Sequence, residues 1–368
     1  MTNAAGSATA SWQVTVTNTI NVTNDLLLIY NTNSTDSTTV LNYYLAHRPL
    51  VSGANVLGIG CLTNEVIGSL DFTNQILTPY MNWLTSNPGK HPQYLILFLD
   101  IPSRVEDTAE YPSVQYQLAT GISGIMPFVT SINMNGTNDC IGYINKLVAF
   151  GTNGQLFISA SAGNYWNTNY ILDNARHGLG FGKINGTNYG DGDFTDSGNV
   201  VSNAISGLQA NGVTPGAIIY NDGLDTNGVV GLVAYTAPQI IVATNVAGYI
   251  CWGEHSALGG NYANNLVTWT GNSAWWIIET VESYNGQRVD QGQGTFIKWF
   301  SPTAFGGINY SNTPIGAVTH VEEPRLTGVA NSATYFGLWA AGKNFAICAW
   351  NSRKTQYFQA VGDPFTTK

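Results

Sequence analysis

The sequence predicts an α/β protein, a three-layer sandwich built on a mostly parallel sheet. Three observations carry that prediction. Short continuous apolar runs such as "DLLLIYN" (25–31), "NVLGIG" (55–60) and "YLILFLD" (94–100) have the length and composition of strands buried on both faces. Between several of them lie stretches with apolar residues at helical spacing. Strands alternating with helices imply βαβ units with right-handed crossovers. The 368 residues are 44% hydrophobic, which is enough to fill a large core.

Residues 1–24 read as a polar, β-prone arm ahead of a single α/β domain spanning 25–368. The first strand, 25–31, leads into "STDSTTVLNYYLAHR" (34–48), where Ser or Asp can cap a helix with Val40, Leu41 and Tyr44 on one face. Strand 55–60 follows. In "DFTNQILTPYMNWLTSN" (71–87), Phe72, Ile76, Tyr80, Trp83 and Leu84 share a helical face. Pro79 predicts a kink or a late start there. Strand 94–100 ends in Asp100. "GQLFISAS" (154–161) reads as a strand, and "NTNYILDNARHGL" (167–179) and "GNVVSNAISGLQANG" (198–212) as helices. Further strands are expected in 216–222, 239–253, 274–280 and 315–323. "SATYFGLWAAGKNFAICAW" (332–350) reads as one late helix.

In a parallel sheet, ligands bind beyond the carboxyl ends of the strands. That rule selects Asn31, Asp100, Asp222, Gly253 to His255, Glu279 and Glu322.

Composition excludes some functions. Charged residues are 10% of the chain, against about 25% in an average soluble domain, and the net charge is −9. No Lys/Arg stripe is present to neutralise phosphates, so nucleic acid is not an expected partner. No apolar run reaches the ~18 residues of a membrane span. The Asn/Thr/Ser/Gly-rich polar positions point to an extracellular or cell-surface protein. Four cysteines, at 61, 140, 251 and 348, form no C-x-x-C pair, and free buried thiols are the expectation.

The segments "LLLIYNTNSTDSTTVLNYYLAHRPL", "YLILFLDIPSRV", "GYICWG", "GAVTHVEEP" and "AVGDPF", in that order, resemble an uncharacterised family of secreted bacterial proteins. More distantly, the layout is similar to the caspase/gingipain class of cysteine peptidases. That resemblance implies a histidine after one sheet strand, a nucleophilic cysteine after the next, and oxyanion-hole amides where they meet. Here Trp252-Gly253 stands at the His-Gly position, and the cysteine position falls near Glu279-Thr280. The resemblance therefore carries over the fold and not the activity.

Three sets of residues bear on chemistry. Cys251 and His255 would make a thiol–imidazole dyad if the chain turned back sharply. Glu279, with His320 and Glu322, would make a neutral hydrolase site. Asp191, Asp193 and Asp196 in "GDGDFTDSGN" cluster hard oxygen ligands suited to calcium, and Asp222 and Asp225 offer a second set. Against each stands a plain structural role: a core thiol, acids bonded to local backbone, and Asx-turns. The expected function is a non-catalytic secreted or surface protein, self-assembling through residues 8–24. A cysteine-peptidase-like hydrolase and a calcium- or carbohydrate-binding module are the alternatives, the latter motivated also by the aromatic "SAWWII".

Overall fold

A computed structural model describes residues 20–368 apart from 108–109, 122–125, 153, 162–166, 176–181, 185–186, 190–196, 222–238, 257–258 and 290–292. Ten strands form the central sheet: β1 Leu26–Asn31, β2 Asn55–Ile59, β3 Tyr94–Phe98, β4 Phe128–Ile132, β5 Asn169–Asp173, β6 Ile218–Asn221, β7 Val246–Cys251, β8 Ile277–Thr280, β9 Gly316–His320 and β10 Phe358–Gly362. Their spatial order is β6-β5-β7-β8-β9-β10-β4-β3-β1-β2. Within each half of the sheet all neighbours pair in parallel; β10 lies between the halves and is antiparallel to β9.

The seam between β10 and β4 is a single bridge of parallel type, Val361↔Ser131. Side chains fix the direction across it. Phe365, just past the end of β10, packs on Tyr94, the first residue of β3, at 5.0 Å between ring centroids. Gly362, at the end of β10, pairs with Gly316, the first residue of β9. The end of β10 thus lies among the starts of β3 and β9. Both parallel halves therefore present their carboxyl ends at one edge of the sheet.

The main helices are α1 Thr35–His47, α2 Thr78–Ser86, α3 Val114–Thr120, α4 Thr137–Phe150, α5 Ser197–Ala210, α6 Ser332–Ala340 and α7 Phe345–Ser352. Ser34 caps α1 by accepting from the Ser37 amide. Pro79 brings no late start: Ser69–Phe72 is already helical, and a π-helical turn, Thr73–Leu77, carries the helix into α2. Proline supplies no amide hydrogen, so the ladder must be re-formed around it. Helices α5 and α6 cross closely at Gly207 and Gly337. A Cβ on Gly207 would lie 1.9 Å from the Ala333 carbonyl oxygen.

Several local expectations are corrected. Residues 154–161 are not a strand; they hold only bridges, Gly151↔Ala160 and Ile158↔Thr366. Residues 169–173 are strand β5, not helix, because consecutive Tyr170, Ile171 and Leu172 are all buried between two neighbouring strands. Segment 239–253 divides at Asn245 (φ +53) into Val242–Thr244, paired with Thr268–Thr270, and β7. Segment 332–350 is two helices. Gly342 (φ +74) ends the first turn region, and Asn344 caps α7 through the Ile347 amide.

The two Trp of "SAWWII" are buried inside. Trp276 joins Tyr249, Trp269 and Phe305 in one aromatic cluster. Trp275 donates to the Thr367 carbonyl instead. Neither offers an open stacking platform to a sugar.

Candidate functional site

The sequence-predicted residues fall mostly on β7, β8, β9 and the turns after them. Cys251 ends β7 on the face of Tyr249 and is fully buried. Its sulfur accepts from the Gly253 amide at 3.3 Å. Burial raises the thiol well above its ordinary value, and the negative charges of Glu282 and Asp173 push the same way. A reactive thiolate needs a partly exposed, electropositive setting. Cys251 has the opposite. His255, half-buried, closes the 3-10 turn Gly253–His255 that follows. Trp252 turns to the other side and donates to Asn174 Oδ1 at 2.7 Å.

Glu279 is not an open cleft residue. It pairs in register with Ile250 and Val318, so it shares a sheet face with Gly248 and Gly316. Phe336 of α6 and Phe345 of α7 cover those glycines. Glu279 is fully buried beneath this helical layer, and neither carboxyl oxygen has a hydrogen-bond partner. Burial pushes it up to about 8, with Lys354 pulling slightly down. His320 lies on the same face, two residues beyond Val318, and is also sealed. Its ring nitrogens make no hydrogen bond of good geometry. Burial lowers it to about 3; contact with the Gly328 backbone offsets this only in part. A neutral acid and a neutral imidazole locked in the core cannot exchange protons with an external substrate.

Glu322 leaves that trio altogether and pairs with Arg104 at 2.5 Å. Glu322 and Glu323 also accept from nearby amides, those of Glu323 and Arg325. The calcium candidates Asp191, Asp193 and Asp196, and Asp222 and Asp225, lie outside the described residues. Among the described residues no group of three or more His, Cys, Asp or Glu side chains could hold a metal.

The residue that sequence reasoning missed is Glu282, two positions past β8. It is 2% exposed. Its Oε1 accepts from the Glu254 amide at 2.6 Å and the Gly294 amide at 3.0 Å. Its Oε2 accepts from the Thr280 hydroxyl at 2.5 Å. Gly253 (φ +54) is packed so closely that a Cβ there would lie 1.8 Å from the carboxyl carbon. Burial lifts Glu282 to about 7, against the lowering effect of those three hydrogen bonds. The signal available in sequence was the run "ETVES" beyond an apolar strand, together with two distant glycines.

The segment after Glu282 is tied down across the sheet. Arg288 Nε meets Glu65 at 2.8 Å and its Nη1 meets Asp100 at 3.1 Å. Asp100 also accepts from the Ser34 hydroxyl at 2.6 Å, and Ser103 donates to Glu65. Asn31 donates to the Asp100 carbonyl oxygen. Asn285 bridges the Thr280 hydroxyl and the His320 amide. The strand-end residues Asn31 and Asp100 therefore serve to fasten a loop from the other half.

No family model matches the chain, and no curated protein does. Solved structures do. The fold is similar to that in a complex of the pro- and mature domains of Porphyromonas gingivalis RgpB, at 12% identity and a TM-score of 0.54, covering 93% of this chain and 79% of that one. It is also similar to the Arg-specific cysteine proteinase gingipain R, at 12% identity and a TM-score of 0.52, covering 94% and 78%. The chain thus has a gingipain/caspase-like α/β fold with a large, mostly parallel sheet.

Proposed function

We propose that this chain is a non-catalytic secreted or cell-surface protein on a cysteine-peptidase-like scaffold. One observation supports this above others. All four thiols of the chain are buried and raised: burial pushes Cys61 and Cys140 up to about 12, and Cys251 and Cys348 higher still. The turn after β7 carries a buried indole, Trp252, and a half-buried imidazole, His255, and the turn after β8 a carboxyl group bonded to backbone amides; neither carries a thiol. The extracellular setting rests on the 10% charged composition.

Folded protein treated with iodoacetamide at neutral pH should leave Cys251 unmodified by peptide mass mapping, while unfolded protein is fully alkylated. Rapid labelling of Cys251, or capture by an electrophilic peptidase probe, would favour the hydrolase reading instead.

Self-assembly through residues 8–24 fits an arm whose polar, β-prone sequence suits strand addition to a neighbour's sheet edge. Removing residues 1–24 should convert oligomer to monomer by light scattering. An unchanged mass refutes that part. Calcium binding at the 191–196 loop is tested by calorimetry with Asp193→Ala.

A further inference from the structure

We infer that the amides of Glu254 and Gly294 form a carboxylate-binding nest whose present occupant is the chain's own Glu282, and that a small external carboxylate takes its place once that side chain is removed. This goes beyond the non-catalytic reading and stands whether or not that reading holds.

The geometry has three independent parts. First, two backbone donors from separate segments converge on one oxygen, Glu282 Oε1, at 2.6 and 3.0 Å. Convergent backbone amides are an anion-binding arrangement. Second, the cavity wall is cut to a carboxyl group. A Cβ on Gly294 would lie 2.6 Å from Oε1, and one on Gly253 would overlap the carboxyl carbon. Only glycine permits that approach on either side. Third, the remaining oxygen is satisfied by Thr280, whose hydroxyl accepts in turn from Asn285 at 2.8 Å. Every donor is therefore oriented by something other than Glu282. The Gly253 turn follows buried strand β7. The Gly294 segment is fixed through Phe296, whose amide donates to the Asn285 carbonyl oxygen.

Truncating Glu282 to alanine removes a CH2–carboxyl fragment, and acetate has that size and shape. The ligand class is thus a short, unbranched carboxylate. A neutral amide keeps an acceptor but leaves no room, so Glu282→Gln fills the nest without admitting an ion.

The test is thermal unfolding of Glu282→Ala, Glu282→Gln and unaltered protein in sodium acetate against sodium chloride at equal ionic strength and pH. Glu282→Ala should lose Tm in chloride and recover it in acetate, rising with the logarithm of acetate concentration as ligand linkage requires. Butyrate should do much less, because its longer chain meets the same walls. Glu282→Gln and the unaltered protein should show no acetate-specific rise. Should Glu282→Ala fail to fold in chloride, refolding yield in acetate replaces Tm as the readout. No acetate advantage by either readout overturns the inference. An equal advantage in the unaltered protein also overturns it, since that would place the ion elsewhere.

Discussion

Glu279→Leu should raise stability at pH 8 by a few kcal/mol and leave it nearly unchanged at pH 5. The reason is linkage. Burial without a partner lifts the folded carboxyl from 4.5 to about 8, so the folded state binds the proton more tightly than the unfolded chain. A raised carboxyl contributes stability that is fully present below pH 4.5 and is lost as pH rises to about 8. At 1.36 kcal/mol per pH unit the ceiling is on the order of 4–5 kcal/mol. His320 acts with the opposite slope. Its folded value is lowered to about 3 from 6.5, so its contribution is present above 6.5 and lost as pH falls toward 3. The two together predict a plateau between about pH 4.5 and 6.5, with decline on both sides. Glu282, Asp173 and Asp139 are also lifted by burial, so Glu279→Leu should shrink the alkaline limb without erasing it. His320→Phe should remove most of the acid limb due to that group. Urea midpoints across pH 4 to 9 decide the matter. An unchanged alkaline slope in Glu279→Leu would mean that the carboxyl finds a partner, such as ordered water.

The second large effect concerns the chain end. Arg48→Met should destabilise the protein by about 3–5 kcal/mol, the usual cost of stranding one member of a buried ion pair. Asp363 is wholly buried. Its Oδ2 accepts from Arg48 Nε at 3.1 Å and Tyr44 Oη at 2.9 Å, and its Oδ1 from the Phe365 amide at 2.8 Å. Arg48 also donates to the Gln155 and Leu156 carbonyls. One guanidinium thus joins the end of α1, the loop before β5 and the chain terminus. Arg48→Met combined with Asp363→Asn should cost less than the two single losses added, because the pair fails as a unit. A loss under about 1 kcal/mol in chemical denaturation would place this pair with weakly coupled surface ions.

"DLLLIYN" and "YLILFLD" announce central strands because the residues between their polar ends form unbroken apolar runs, as two-sided burial requires. The same logic was obscured at 167–179, where three buried residues in a row, Tyr170 to Leu172, are flanked by polar residues that also suit a helix. Strand β4 is hard to read in the sequence, since "PFVTSIN" mixes apolar and hydroxyl residues. Cys251 as a core thiol was legible, because it sits inside an apolar run. Glu279 was legible as a residue near a strand end. Its confinement under α6 was not, since that depends on which face the register turns toward the helices.

By itself, the sequence determined the layered α/β class, the succession of most central strands and the buried character of the cysteines, because apolar periodicity and run length are local properties of a chain. Only the tertiary structure decided that Glu282 is enclosed by amides 28 and 12 residues away, and that Arg288 reaches Glu65 and Asp100 from the far half. Such contacts arise from strand order and crossover, and distance along a chain says nothing about which strand ends the sheet will set side by side.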